Sequence, residues 1–365
     1  ASNIALAHQI LQRYAEKNDE EKTEFFLMLA TSFDPDKDLI CTAVSQYNAN
    51  SPGSLQQLIT AVEPPRQELF RRLNMAPRGT AALISMRSDL LPRLAGNPKL
   101  KVVDSDLVHL FSSWFNRGFL VLQSIDWNSS AAVLEKLIQY ESVHPMKGWD
   151  DLHRRLQNDR LCFAFFHPAL PLVPLIFVEV AFTTGLTDNI DEIIGSGALS
   201  VEPATADTAI FYSINNSLSG LRGISFGNFL IKQVVAELQA QYPQLKQFST
   251  LSPMPLLRKM LIQQLEIDQP AEPGSRLGKL LGDKLDKILQ ATATGTLNDA
   301  LQRLITEPGE NKKLLEEVLH KLSLCYLTRI KSDGTLNDPV ARFHLSNGAR
   351  IERINAVSYT HLTLP

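Results

Sequence analysis

Three stretches of this 365-residue chain carry side chains suited to chemistry. The first is Ser219-Gly220-Leu221-Arg222-Gly223-Ile224-Ser225-Phe226-Gly227-Asn228, between a strand-like run and a long amphipathic segment. A strand, a glycine-containing loop and a helix present backbone N–H groups to a phosphate at the helix N-terminus. The glycines let the backbone approach a ligand, and Arg222 adds a charge-assisted hydrogen bond to a phosphate oxygen. The spacing matches neither the lysine-bearing P-loop nor the GxGxxG dinucleotide loop, so a plain strand-to-helix turn stays open. The second stretch is Phe248-Ser249-Thr250-Leu251-Ser252-Pro253-Met254-Pro255. Here Ser252 reads as an N-cap with Pro253 in the first helical position. The same hydroxyl, at the positive end of a helix, also suits a bound carboxylate. The third is His344, where Ser346-Asn347-Gly348 reads as the turn of a hairpin between Arg342–Leu345 and Ala349–Ile354. A histidine there is either a cross-strand residue or, since imidazole titrates near neutrality, a proton donor and acceptor.

Other titratable residues point to structure. His144, His153 and His167 lack the i, i+4 spacing and acidic company of a metal site. Asp150-Asp151 and Arg154-Arg155 read as a solvated helix face. Cys41, Cys162 and Cys325 are far apart in apolar stretches, which reads as inert thiols and no disulfide framework. A net charge of −3 gives no global attraction to nucleic acid or anionic membrane, so an anionic ligand needs a local site. No apolar run reaches the roughly 18–20 residues that span a bilayer. Residues 1–13 read as an ordinary amphipathic segment rather than a signal peptide. The expectation is a soluble intracellular protein, with a removed leader left open because the chain does not begin with methionine.

The elements that must position these residues fall into two kinds. Ile4, Ala7, Ile10 and Leu11, then Phe25 to Phe33, Leu55 to Val62, Glu68 to Met75, Thr80 to Leu94 and Leu107 to Leu122 repeat at helical spacing. Pro64-Pro65 stops one helix, and Ser129-Ser130 caps another over Ala131 to Tyr140. Residues 1–143 therefore read as an all-helical domain. After His144-Pro145 the character changes to α/β, with strands at Leu161–His167, Leu175–Thr184, Asp207–Asn215 and Phe248–Leu251. Helices are expected over Asn228–Gln241, from Pro253 to about Leu265, and within Lys279–Leu324. The fold class is thus α+β, with 144–365 as the second domain.

Several motifs taken in order resemble the malonyl-CoA decarboxylase family. They are Ile125-Asp126-Trp127 through Glu141-Ser142-Val143-His144-Pro145, then Lys147-Gly148-Trp149-Asp150-Asp151-Leu152-His153-Arg154-Arg155. Ala209 to Ile214 follow, then the Gly220–Gly227 loop running into Phe229-Leu230-Ile231-Lys232, then Phe248 to Pro255. Phe343-His344-Leu345-Ser346-Asn347-Gly348-Ala349 with Arg353-Ile354-Asn355 complete the set. The likeness covers most of residues 70–355.

The resemblance implies a helical domain that builds a homo-oligomer, dimer or tetramer, and a catalytic domain like the GNAT acyltransferase fold. It implies that Arg222, Gly223, Ile224, Ser225, Phe226, Gly227 and Asn228 hold the CoA part of malonyl-CoA, and that Ser252 and His344 are catalytic. The reaction would form acetyl-CoA and carbon dioxide with no metal and no cofactor beyond the CoA within the substrate. Some family members carry an acidic residue where this chain has Ser225, which leaves a carboxylate role at that position in doubt. The decapeptide Ala356–Pro365 resembles no part of the family and reads as foreign sequence after truncated C-terminal strands. With no peroxisomal Ser-Lys-Leu end, a bacterial-type cytoplasm is expected, a mitochondrial location staying open if a leader was removed. Two other functions compete, a GNAT-type N-acyltransferase and a non-catalytic CoA-binding or helical interaction protein.

Overall fold

The computed structural model describes residues 3–49, 51–195, 201–224, 227–257, 259–260, 276–295, 299–301, 303, 309–331 and 333–355. The chain divides into two compact units, Ala1–Glu179 with Ile214–Gln241, and Val180–Ser213 with Tyr242–Pro365. A helical region comes first and a mixed α/β region follows.

The first unit opens with α1 (Asn3–Ala15), α2 (Asp19–Ser32), α3 (Lys37–Gln46), α4 (Pro52–Val62), α5 (Pro65–Asn74), α6 (Gly79–Leu90) and α7 (Lys101–Trp114). Helix α2 starts on a capping box. The Asn18 side chain accepts the Glu21 N–H while the Glu21 carboxylate accepts the Asn18 N–H, both at 2.9 Å. Phe26, Leu29, Phe70, Leu83, Leu107 and Phe111 are fully buried. Each such side chain contributes about 1.5–3 kcal/mol over its exposed state. Arg66 lies inside this core, where its guanidinium pairs with Asp106 and, at 2.5 Å, with Asp34.

The helical reading of residues 107–122 stops short. Helix α7 ends at Trp114, and Val121–Ile125 is a strand, β1, antiparallel to β2 (Arg160–Phe166). Its side chains are mostly exposed or half-buried, so the alternation that marks a strand is missing and the partner strand supplies the order. Helix α8 (Ala131–Tyr140) starts at the expected place, although Ser130 makes no side-chain cap bond. Ser129 instead accepts the Asp126 N–H at 3.1 Å.

Helix α9 (Trp149–Arg155) is also not a purely solvated face. Arg154 pairs with buried Asp159 at 2.9 Å. Arg155, 4% exposed, donates to Glu179 at 2.9 Å and to the His144 carbonyl at 2.6 Å. Nearby Cys162 is buried, and burial followed by the charges of Glu179 and Glu141 pushes its thiol well above the ordinary range. Cys41, by contrast, is exposed.

Five strands form one sheet in the order β1-β2-β3-β4-β5, with β3 Ile176–Thr183, β4 Thr208–Asn216 and β5 Gln247–Thr250. Strands β4 and β5 run parallel, registered Ala209 with Phe248 and Phe211 with Thr250. Parallel neighbours need a crossover, and the chain between them carries α11 (Gly227–Gln241), while the short α10 (Asp191–Ile194) lies between β3 and β4. The second unit continues with α12 (Arg276–Leu281), α13 (Asp283–Thr292), α14 (Lys312–Leu327) and α15 (Pro339–Ser346). Leu281, Leu285, Ile288, Leu315, Val318 and Leu322 bury the first three of these against one another.

Candidate active site

Ser252 follows directly on β5. The Leu251 N–H donates to the Phe211 carbonyl at 3.0 Å, so the parallel ladder carries extended backbone up to the serine. No helix begins at Pro253, and helical backbone is first assigned at Leu257. The N-cap reading of Ser252 is thereby replaced. Its exposed hydroxyl lies at the carboxyl end of a parallel strand, where α/β sheets place ligand-contacting groups. The helix expected from Pro253 to about Leu265 falls largely outside the described residues.

His344 sits on helix α15, not on a hairpin. Asp338 and Pro339 start that helix, the carboxylate accepting the Ala341 N–H at 2.5 Å. Asn347-Gly348 ends it. The Ala349 N–H donates to the His344 carbonyl and the Gly348 N–H to Leu345, both at 3.1 Å, with Gly348 at φ +89°. This is a Schellman cap, which exploits the same tolerance of positive φ that a type I′ hairpin needs.

The two segments meet within the second unit. Ser252 Oγ and His344 Nε2 are 3.0 Å apart, a hydrogen bond across 92 residues of sequence. Burial pushes the proton affinity of His344 below the ordinary histidine range, and the negative charge of Asp338 opposes that shift without cancelling it. A hydrogen-bonded imidazole and hydroxyl have the geometry that proton transfer between the two groups requires.

The glycine loop belongs to the first unit. Ser219–Leu221 form a single 3₁₀ turn, Arg222 follows exposed, and Gly223 takes φ +84°. Ile224 is buried. Ser225 and Phe226 lie outside the described residues, while Gly227 and Asn228 open α11. Gly220 has a packing role. A Cβ there would stand 2.0 Å from the Ile84 carbonyl oxygen, so the glycine is required by packing on α6. From the same helix Arg87, 2% exposed, donates to the carbonyls of Gly220 at 2.7 Å and Arg222 at 2.8 Å. Asp104 holds the guanidinium at 2.7 Å. Nothing in the spacing of α6 pointed to this arginine; only its place on the buried face separates it from a surface charge.

His167 and His153 make main-chain and packing contacts. His167 Nε2 is 3.2 Å from the Trp114 carbonyl and its Nδ1 accepts the Ala169 N–H at 3.1 Å. His153 stands edge-on to Trp127 with ring centres 5.0 Å apart. Among the described residues, no three His, Cys, Asp or Glu side chains cluster as a metal ligand set.

A helical region, a five-stranded mixed sheet and a hydrogen-bonded serine–histidine pair define an α+β protein. Family models for the malonyl-CoA decarboxylase N-terminal domain and C-terminal domain match residues 33–115 and 118–363. The chain belongs to the malonyl-CoA decarboxylase family. The mitochondrial malonyl-CoA decarboxylase of Anser anser anser is 38% identical over 304 residues, 80% of this chain and 60% of the relative. That of Rattus norvegicus is 35% identical over 306 residues, covering 81% and 62%. This chain therefore spans about three-fifths of the length of these curated relatives. The crystal structure of malonyl-CoA decarboxylase from Rhodopseudomonas palustris superposes with a TM-score of 0.84 at 44% identity, over 97% of this chain and 83% of that one. The Agrobacterium vitis structure gives 0.81 at 44% identity, with the same coverage.

Proposed function

We propose that this chain converts malonyl-CoA to acetyl-CoA and carbon dioxide, with Ser252 and His344 as the reacting pair. The observation that carries the reading is the 3.0 Å contact between them in a member of this family. Loss of carbon dioxide leaves a thioester enolate whose charge the carbonyl already delocalises, so the chemistry requires no metal or cofactor sink. Ser252 hydrogen-bonds the malonyl carboxylate and holds the breaking bond perpendicular to the thioester plane. His344, neutral in the free protein, gains a proton from solvent as the negative substrate binds, stabilises the enolate and passes that proton to carbon. One proton is consumed per turnover, which balances the carboxylate lost as carbon dioxide. Arg222 and the backbone through Asn228 hold the CoA phosphates.

An N-acyltransferase would instead need a base beside an amine groove, and neither the family match nor any described residue favours one. The test is incubation with malonyl-CoA and a chelator, following acetyl-CoA and carbon dioxide. Chelator-resistant formation of both is the expected result. A folded protein that binds CoA and releases neither product would sink the proposal.

We also propose a homo-oligomer formed through the helical region. Leu39 and Val44 on α3, and Leu55, Ile59 and Val62 on α4, are 45–60% exposed. Such a cluster of apolar side chains on neighbouring helices is costly to leave in water. Leu39→Asp together with Ile59→Asp is expected to lower the mass seen by light scattering, and an unchanged mass would reject this surface. Among the described residues no helix is long and apolar enough to cross a membrane. The likeness to two bacterial structures supports a cytoplasmic location, which fractionation of the source cells would check.

A further inference from the structure

Tyr326, on α14, is fully buried, and its hydroxyl donates to the carboxylate of Asp338, itself 1% exposed. Asp338 uses its other carboxylate oxygen to accept the Ala341 N–H, and its carbonyl accepts the Arg342 N–H at 3.0 Å. It therefore fixes the first turn of the helix that carries His344. Burial and the Asp338 charge both push the Tyr326 phenol above its ordinary range, so it stays a donor throughout the working pH. The phenol thus anchors the N-cap of the histidine helix, while the Leu256 main chain, four residues past Ser252, partly offsets the upward shift.

We propose that Tyr326 and Asp338 are positioning residues for the Ser252–His344 pair, the phenol anchoring the carboxylate that starts the histidine helix. The inference rests on the reading of Ser252 and His344 as the reacting residues. Within the described residues, Asp338 is the charged group whose field reaches His344, and the imidazole also meets the Phe343 ring, centres 5.1 Å apart, and the Ser252 hydroxyl at 3.0 Å. Asp338 thus does two jobs, starting the helix and partly offsetting the effect of burial on the imidazole's proton affinity.

Two variants separate these jobs. Tyr326→Phe keeps the ring that fills the core and removes only the anchor. With helix and serine slightly misaligned, kcat falls about tenfold while KM for malonyl-CoA stays within about twofold. Asp338→Asn keeps an N-cap acceptor but removes the charge, so His344 titrates at lower pH than in the parent. That titration is read by NMR on protein with ¹³C-labelled histidine, the signal assigned through its loss in His344→Gln. It needs no turnover. Parental kcat in Tyr326→Phe, or superimposable His344 titrations in the parent and Asp338→Asn, overturns the proposal. Should the parent protein not decarboxylate malonyl-CoA at all, the functional reading fails and the positioning claim falls with it, while the titration still decides whether the Asp338 charge acts on His344.

Discussion

Replacing His344 with alanine is expected to lower kcat for malonyl-CoA by about 10²–10⁴-fold and to leave CoA affinity within about twofold. The expected magnitude follows from what the ring supplies. On the proposed roles, removing it takes away the enolate's proton donor and the hydrogen-bond partner of the Ser252 hydroxyl at once. Ser252→Ala removes the group that orients the carboxylate, and because the two act as a unit the double variant should lose little more than the worse single one. Proton affinity gives a second signature. In the free protein burial holds His344 below the ordinary histidine range, and Asp338 only partly offsets this. A bound carboxylate raises it. Where the protonated ring is the active form, rate declines as pH rises. The decline in kcat, which reports the complex, is therefore expected at higher pH than the decline in kcat/KM, which reports the free protein. Parental turnover in both single variants would remove this pair from the mechanism.

Most of the sheet is legible in the sequence because β2, β3 and β4 are apolar, rich in Phe, Ile and Val, and bounded by proline or polar breaks, whereas β5 (Gln247–Thr250) is short and mostly polar. Strand β1 is not legible, because it exposes much of its length and owes its conformation to β2. The helix bearing His344 was misread for a more instructive reason. Asn347-Gly348 is an equally good signal for a hairpin turn and for a helix C-cap, since both need only a residue that accepts positive φ. Asp338-Pro339 upstream, an N-cap followed by proline at the first position, was the feature able to decide between them. Local spacing also had no means of pairing Ser252 with His344 across 92 residues, and only the family resemblance joined them. Arg155 looked solvated for a related reason. Its partner Glu179 is 24 residues away on another element, and burial there depends on packing that no helix-face count contains.

Arg87 shows how the helical region bears on the loop, and the expected effect of changing it is large. Its guanidinium meets three acceptors at once, the carbonyls of Gly220 and Arg222 and the carboxylate of Asp104. Arg87→Ala leaves two carbonyls without their donor in a site where the arginine itself was 2% exposed. That should cost about 2–4 kcal/mol of stability, read as a lowered denaturant midpoint. Asp104 is partly exposed and rehydrates, so it adds little to the loss. The milder Arg87→Lys separates folding from binding. An ammonium lacks the planar fork that spans these acceptors, so the turn before Gly223 loosens while the core stays filled. If the loop grips the CoA phosphates, KM for malonyl-CoA rises about tenfold while kcat holds, a loss of roughly 1.4 kcal/mol of binding. Malonyl-pantetheine, which lacks the nucleotide and its phosphates, should show no such rise. A rise in KM of equal size for both substrates would mean that Arg87 supports the fold and not the phosphate grip, and the loop would then lose its assigned role.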